Sequence, residues 1–320
     1  MKGMILAAGY GTRLRPVTHT LPKPMVPLLN RPLIAWAVES FLAAGVRELV
    51  VNLHHVPEPL ERYLNDEYGQ RAEFFFSYES EILGTGGGIR RVRPQLERED
   101  EFFLVNGDTV QFPRWDTLRR SLRALDAVAA LTMRHAPGND KFTPVYLDGA
   151  QITGFGKGTG EALMFAGSHV ISTRIFDYIP NREFSGIVEH AYQPLLEVGR
   201  EKIAGVVDDG LWFDIGTPQR YIAASRVMLE ETIGGGLRPV PGTRLRGDSL
   251  LHETARGTAA RSVVGARSVI EGTVRDSIIW DDCHIAAGAT VEGCIVTHGV
   301  TLAAGEYRNQ MIVPGESVAI

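Results

Sequence analysis

Residues 4–24 read MILAAGYGTRLRPVTHTLPKP. Met4 to Ala8 form an apolar run without polar alternation, the pattern of a strand buried on both faces of a parallel sheet. The run breaks at Gly9 and Gly11, where a missing Cβ lets backbone N–H groups approach a phosphate. A dinucleotide-binding turn of the GxGxxG type would need a third glycine at position 14, and Leu14 stands there. Arg13, Arg15, Pro16, Pro22, Pro24 and Pro27 exclude a continuous helix through the segment. The GxxxxGK[ST] phosphate loop cannot be written on these residues either. An extended, cationic loop is expected, suited to a triphosphate carrying more charge than a helix N-terminus balances.

Outward from this stretch, residues 1–225 alternate apolar strands with amphipathic helices. This predicts an α/β domain with a Rossmann-like, mostly parallel sheet and helices on both faces. A helix is expected over Pro32–Ala44, with Asn30 near its start and Gly45 ending it, and strands over 49–53 and 102–105. Two acids close apolar runs: Asp108 in FFLVNGD and Asp214 in LWFDIGTP, the latter followed by Thr217 and Pro218 as cap and first residue of a helix. Ligands of open α/β sheets sit outside the carboxyl ends of the strands, so Asp108 is expected at the same edge as the Gly9 loop. Between these landmarks, Gly84-Thr85-Gly86-Gly87-Gly88 reads as a glycine loop opening a helix at Ile89.

Residues 226–260, with Gly234-Gly235-Gly236, Pro239 and Pro241, read as a linker. Over 261–320, Val264, Ile270, Ile279, Ile285, Val291 and Val300 recur mostly at multiples of six, with glycines at the turns between. That is the period of a parallel β-helix, here of about three coils.

The stretch LAAGYGTRLRPVTHTLPKP resembles the signature of the sugar-phosphate nucleotidyltransferases, which join a nucleoside triphosphate to a sugar 1-phosphate. The resemblance implies that Leu6, Ala8, Gly9, Gly11, Thr12 and Arg13 hold the nucleotide and that Lys23 faces the transferred phosphate. It places Gly84, Thr85 and Gly86 at the base, and Asp108 and Asp214 on Mg²⁺, whose octahedral shell suits hard carboxylate and phosphate oxygens. Arg13, Lys23 and Asp108 form the expected catalytic set, and Gly167 and Asp214 the expected sugar contacts. The Glu-Lys-Pro segment that binds the sugar phosphate in many relatives is missing, with Lys157 as a possible substitute. The repeat resembles the left-handed hexapeptide β-helix carried by several members. GTP with mannose 1-phosphate is the expected pair. TGGGI, nearer to enzymes making UDP-N-acetylmuramate than to the commoner GTAG form, keeps uridylyl transfer to N-acetylmuramate or glucose 1-phosphate open. A regulatory paralogue without turnover would be expected to lose Lys23, Asp108 or Asp214, and all three are present.

Composition bounds the partners. The chain has 320 residues, 44% of them hydrophobic, and a formal net charge of −5. Neither nucleic acid nor an anionic membrane is an expected partner. No apolar run of about eighteen residues occurs, and a cytoplasmic protein is expected. Only five of the 33 basic residues are Lys, so a compact ammonium between two prolines at position 23 fits point contact with a phosphate oxygen better than a planar guanidinium would. Cys283 and Cys294 lack metal-ligand spacing, and so does the His54-His55 pair. With no chemical constellation of its own, the C-terminal repeat is expected to assemble a homo-oligomer.

Overall fold

The computed structural model describes residues 1–136 and 142–320. The chain forms two compact units, one of Met1–Tyr10 with Ile34–Trp212, the other of Gly11–Leu33 with Phe213–Ile320.

The first unit is built from strands β1 (Lys2–Leu6), β2 (Glu48–Leu53), β3 (Glu73–Tyr78), β4 (Glu101–Asn106), β5 (Ala129–Arg134), β6 (Val145–Asp148), β7 (Gln151–Phe155), β8 (Glu161–Ser172) and β9 (Ile203–Val207). Among the described residues these form one nine-stranded sheet in the order β3-β2-β1-β4-β8-β5-β9-β7-β6. Helices α1 (Leu33–Ala43), α2 (Pro57–Tyr68), α3 (Gly84–Arg91) and α4 (Trp115–Ala124) alternate with its first five strands. Strands β3, β2, β1 and β4 run parallel, whereas β8 is antiparallel to both β4 and β5. The sheet is therefore more mixed than the expected, mostly parallel one. Part of the mixing is local: the link from β6 to β7 is a short turn, so the two pair antiparallel, whereas parallel neighbours need a crossover of a dozen residues or more.

Register places the site. Leu6 pairs with Asn52 on one side and Asn106 on the other, so the chain leaves β1, β2 and β4 at one level of the sheet. Met4 and Ile5 are fully buried, as the apolar run requires. Helix α1 matches the expected helix within one residue at each end, and Gly45, at φ +78°, terminates it. Asn30 does not start that helix; it belongs to a turn described below.

In the second unit, the segment after Gly11 is not simply extended. Three single-turn 3-10 helices occupy Thr12–Leu14, Val17–His19 and Lys23–Met25, followed by a hairpin of Pro27–Leu28 and Arg31–Pro32. Prolines exclude a long helix but suit the first positions of short turns, where their fixed φ and missing N–H cost nothing. Helix α5 (Pro218–Ile233) begins as expected, with Thr217 Oγ1 accepting the Arg220 N–H at 3.3 Å.

Helix α5 runs into the stretch expected to be a linker, with Met228, Leu229 and Thr232 buried. Strands Thr243–Arg246 and Ser249–His252 occupy more of it, leaving 234–242 as the irregular connection. The repeat thus starts about a coil earlier than its hexads suggest. On one face, Ser249–His252, Val263–Val264, Ile278–Ile279, Ile295–Val296 and Gln310–Val313 pair in parallel. Two further parallel sheets form the other faces. Successive coils advance by 15, 17 and 16 residues, shorter than three full hexads, which is why the spacing looks imperfect. Val264, Ile270, Ile279, Ile285, Val291 and Val300 all face the interior. Antiparallel strands Thr243–Arg246 and Glu316–Ala319, both mostly exposed, close the two edges of the first face. Short polar edge strands discourage pairing with another chain, so exposed edges on this face give no reason for assembly. Cys283 and Cys294 are buried free thiols, and burial pushes the Cys283 thiol up to about 11, away from reactivity.

Candidate active site

In the first unit, the loop after β1 is tied to the glycine segment by a buried chain of polar contacts. The Ala7 N–H donates to Asn52 Oδ1 at 2.8 Å, Asn52 Nδ2 donates to Glu79 Oε1 at 2.8 Å, and the Leu83 N–H donates to Glu79 Oε2 at 2.9 Å. Glu79 is only 4% exposed. A buried carboxylate is tolerated when donors meet it; each Glu79 oxygen accepts one bond, and these bonds join the ends of β1, β2 and β3 to the start of α3. Sequence reading missed Asn52 and Glu79. A polar Asn in the apolar strand LVVNL was the available signal.

Gly84, Thr85 and Gly86 are the first turn of α3 rather than a loop preceding a helix at Ile89. Intrinsic propensity argues against helical glycine, but tertiary packing overrides it here. Gly84 has φ +74° and a Cβ there would lie 2.7 Å from the Ser185 carbonyl; one on Gly86 would lie 3.0 Å from the same atom. The Gly87 N–H donates to that carbonyl at 3.0 Å. At Gly9, by contrast, a Cβ would meet nothing within 4 Å. Space rather than packing surrounds that glycine. Leu6 and Ala8 flank the end of β1, and Tyr10 packs edge-on against His54 at 4.9 Å, which gives the histidine pair a packing role.

Asp108 follows β4, half-buried, and the Gly107 N–H donates to the Leu6 carbonyl at 2.8 Å. This fixes the acid turn to the strand that carries the Gly9 loop. Gly167 lies in the register break of β8 between Phe165 and His169. A Cβ on it would fall 2.5 Å from Asn106 Nδ2, so Gly167 adjoins the residue that leads into Asp108. Lys157 is exposed in the turn after β7.

The second unit gathers the charges. Asp214, with 17% of its side chain exposed, lies 3.5 Å from Lys23 Nζ, 4.0 Å from Arg13 and 2.5 Å from Arg220. Lys23 is 6% exposed, Arg13 62%. Asp214 thus gathers a cluster of three cations, a kind of site that draws phosphates. Two glycines make room for it. Gly11 has φ +60°, and a Cβ there would lie 3.0 Å from both Lys23 Cβ and Thr18 Cγ2; a Cβ on Gly216 would lie 2.9 Å from the Arg13 guanidinium. Thr12 begins the 3-10 turn that carries Arg13.

Arg220 is a further member that sequence reading missed. It lies in the first turn of α5, where a cation opposes the helix dipole, and that misplacement was the available signal. Gly11, Arg13, Lys23 and Asp214 are therefore brought together within the second unit. Leu6, Ala8, Gly9, Gly84, Thr85, Gly86, Asp108 and Gly167 belong to the first. Asp108 in the first unit and Asp214 in the second are each a hard carboxylate, the donor type that suits a divalent cation of the Mg²⁺ class. Among the described residues no group of three or more His, Cys, Asp or Glu could hold a metal by itself. No helix among them is long and apolar enough to cross a membrane.

The comparisons with known proteins agree with this architecture. The family described as nucleotidyl transferase matches residues 2–231, and the GlmU-like C-terminal hexapeptide family matches 249–318. A mannose-1-phosphate guanylyltransferase of Mycobacterium tuberculosis is 27% identical over 94% of this chain and 81% of its own length. One from Candida albicans is 30% identical over 72% of this chain and 65% of its own. A UTP–glucose-1-phosphate uridylyltransferase of Synechocystis is 28% identical over 92% and 82%. The crystal structure of HddC from Yersinia pseudotuberculosis, 23% identical, shares the fold over 71% of this chain and 99% of that one with a TM-score of 0.58. With one family covering the catalytic portion and the other the repeat, the chain belongs to the nucleotidyl transferase family, as a sugar-1-phosphate nucleotidyltransferase with a C-terminal hexapeptide domain.

Proposed function

We propose that this enzyme transfers a guanylyl group from GTP to mannose 1-phosphate, giving GDP-mannose and pyrophosphate. The observation that carries the phosphoryl chemistry is the cluster of Lys23, Arg13 and Arg220 around Asp214. A sugar-phosphate oxygen attacks the α-phosphorus, the bond to the β-phosphate oxygen breaks, and pyrophosphate leaves without a covalent enzyme intermediate. Attacker and target are both anionic, so the residues act by alignment and charge neutralisation. Lys23 holds the transferred phosphate, Arg13 the departing phosphates, and Gly9 and Gly11 let backbone N–H groups approach them. The first turn of α3, Gly84 to Gly86, presents backbone to the base, and Gly167 lies beneath the sugar. Mg²⁺, held by Asp108 and Asp214, would neutralise phosphate charge when bound. Lys157 is the proposed contact of the sugar phosphate, and the enzyme is proposed to work in the cytoplasm.

The guanylyl assignment is supported by the names of the mycobacterial and Candida relatives. TGGGI and the cyanobacterial uridylyltransferase favour a second reading, uridylyl transfer to glucose 1-phosphate or N-acetylmuramate 1-phosphate. Pyrophosphate release measured for four nucleotides against several sugar 1-phosphates tests both. Highest kcat/KM for GTP with mannose 1-phosphate is expected. Preference for UTP would overturn the guanylyl reading, and full turnover in excess chelator would overturn the metal.

A further inference from the structure

The hairpin that follows Lys23 is held by the β-helix. Its turn residues Leu29 and Asn30 have φ of +52° and +63°. Two successive left-handed residues are what a tight two-residue hairpin requires, and a leucine there persists only where surroundings hold it. Asn30 Nδ2 donates to the Val264 carbonyl at 2.9 Å, in the β-helix strand Val263–Val264. Tyr221 Oη donates to the Pro27 carbonyl and accepts from Trp280 Nε1 at 3.1 Å. Trp280 directly follows the neighbouring strand Ile278–Ile279. Tyr221 is 1% exposed, so water cannot replace these bonds, and their loss would leave buried groups unpaired. Burial pushes its phenol upward, keeping it a donor at neutral pH.

The two anchors lie on either side of the turn, at Pro27 and Asn30. Pro27 is joined to Lys23 through the 3-10 turn closed by the Val26 N–H on the Lys23 carbonyl at 3.0 Å. Arg220, next to Tyr221 on α5, meets Asp214. Consecutive residues of one helix thus touch the charge cluster and the anchor of its lysine loop.

We propose that the β-helix is a positioning element of the active site: Trp280 through Tyr221, and Val264 through Asn30, set the location of the Lys23 loop. This rests on the reading of Lys23 as a phosphate contact. The β-helix then serves catalysis without touching substrate, and a shift of about 1 Å in such a group can cost on the order of 10²-fold in rate.

The test uses the full chain with Trp280→Phe, which removes the indole N–H but keeps an aromatic ring, and Asn30→Gly, which keeps the left-handed turn but removes the amide. Amide hydrogen exchange and steady-state kinetics are measured on both. Faster exchange confined to residues 11–28 is expected, with β-helix amides unchanged and kcat lowered about tenfold while KM for the sugar 1-phosphate moves less than twofold. Wild-type exchange over 11–28 in both variants would overturn the proposal, as would loosening spread through the β-helix. Should Trp280→Phe not fold, Asn30→Gly decides alone. The exchange arm needs no turnover, so an inactive wild-type enzyme would refute the phosphate reading of Lys23 without touching the anchoring.

Discussion

The two compact units secure their glycines and charges in opposite ways. In the first, the Ala7–Asn52–Glu79–Leu83 contacts are largely buried, neutral amides meet a single carboxylate, and Gly84 and Gly86 are pressed against Ser185. In the second, Arg13, Lys23 and Arg220 crowd Asp214, with Arg13 largely in solvent. The first arrangement is held by hydrogen bonds and close backbone packing. The second is a cluster of charges that leaves the Arg13 guanidinium largely in solvent. Damage to the Asn52–Glu79 contacts and to the packed glycines of α3 should therefore appear mainly as lost stability, and damage to the charges, Asp108 included, mainly as lost rate.

The largest effect should come from the charges. Lys23→Ala, Asp108→Asn and Asp214→Asn are each expected to lower kcat/KM about 10²–10³-fold in pyrophosphate release, with the circular dichroism spectrum unchanged. Retention of more than about a tenth of activity by all three would dismantle the site assignment.

Next comes Glu79→Ala, which leaves the Leu83 N–H and Asn52 amide without their acceptor. A loss of about 1–3 kcal/mol is expected, lowering Tm by roughly 2–4 °C per kcal/mol for a unit of this size. Calorimetry checks this, and an unchanged Tm would erase the contrast between the units.

Two alanine substitutions at glycine sharpen it. Gly84→Ala forces a side chain at positive φ into a backbone carbonyl 2.7 Å away and should lower Tm by several degrees. Gly216→Ala meets only the mobile end of Arg13; Tm should stay within about a degree while KM for the nucleotide rises a few-fold. Equal Tm losses would mean that the guanidinium is held as rigidly as the backbone.

The smallest effect on the fold belongs to Gly9→Ala, where a methyl group meets open space. Stability should be unchanged within about 0.5 kcal/mol, and any effect should appear in nucleotide binding measured by titration calorimetry. Wild-type affinity would remove Gly9 from the phosphate contacts.

Much of this molecule is legible in short segments. The apolar run from Met4 predicts β1, NGD and DIGTP mark strand ends, Thr217 caps α5, and the six-residue period identifies the β-helix. Each of these depends on backbone geometry and burial within a few residues, which local spacing encodes directly. The coil count was underestimated because advances of 15 to 17 residues blur the hexads. The expected linker is shorter in the fold because helix α5, with its buried face, extends to Ile233, just before the glycine triplet.

Other features depend on partners remote in the chain. Asn52 meets Glu79 across 27 positions, Asn30 meets Val264 across 234, and Tyr221 meets Pro27 across 194. Asn30 looks like a helix cap when only its neighbours are considered, yet its side chain bonds a β-helix carbonyl. The helical glycines of α3 contradict local propensity until the Ser185 carbonyl is seen in the space a Cβ would fill. Residue identity and spacing are enough for the strands and the acid turns, which follow from periodicity and charge, while the class of chemistry comes from the resemblance of residues 6–24 to a family signature. Which glycines pack and which leave room, and which distant amides hold the lysine loop, came from folding, because a hydrogen bond depends on proximity in space and carries no trace of sequence separation.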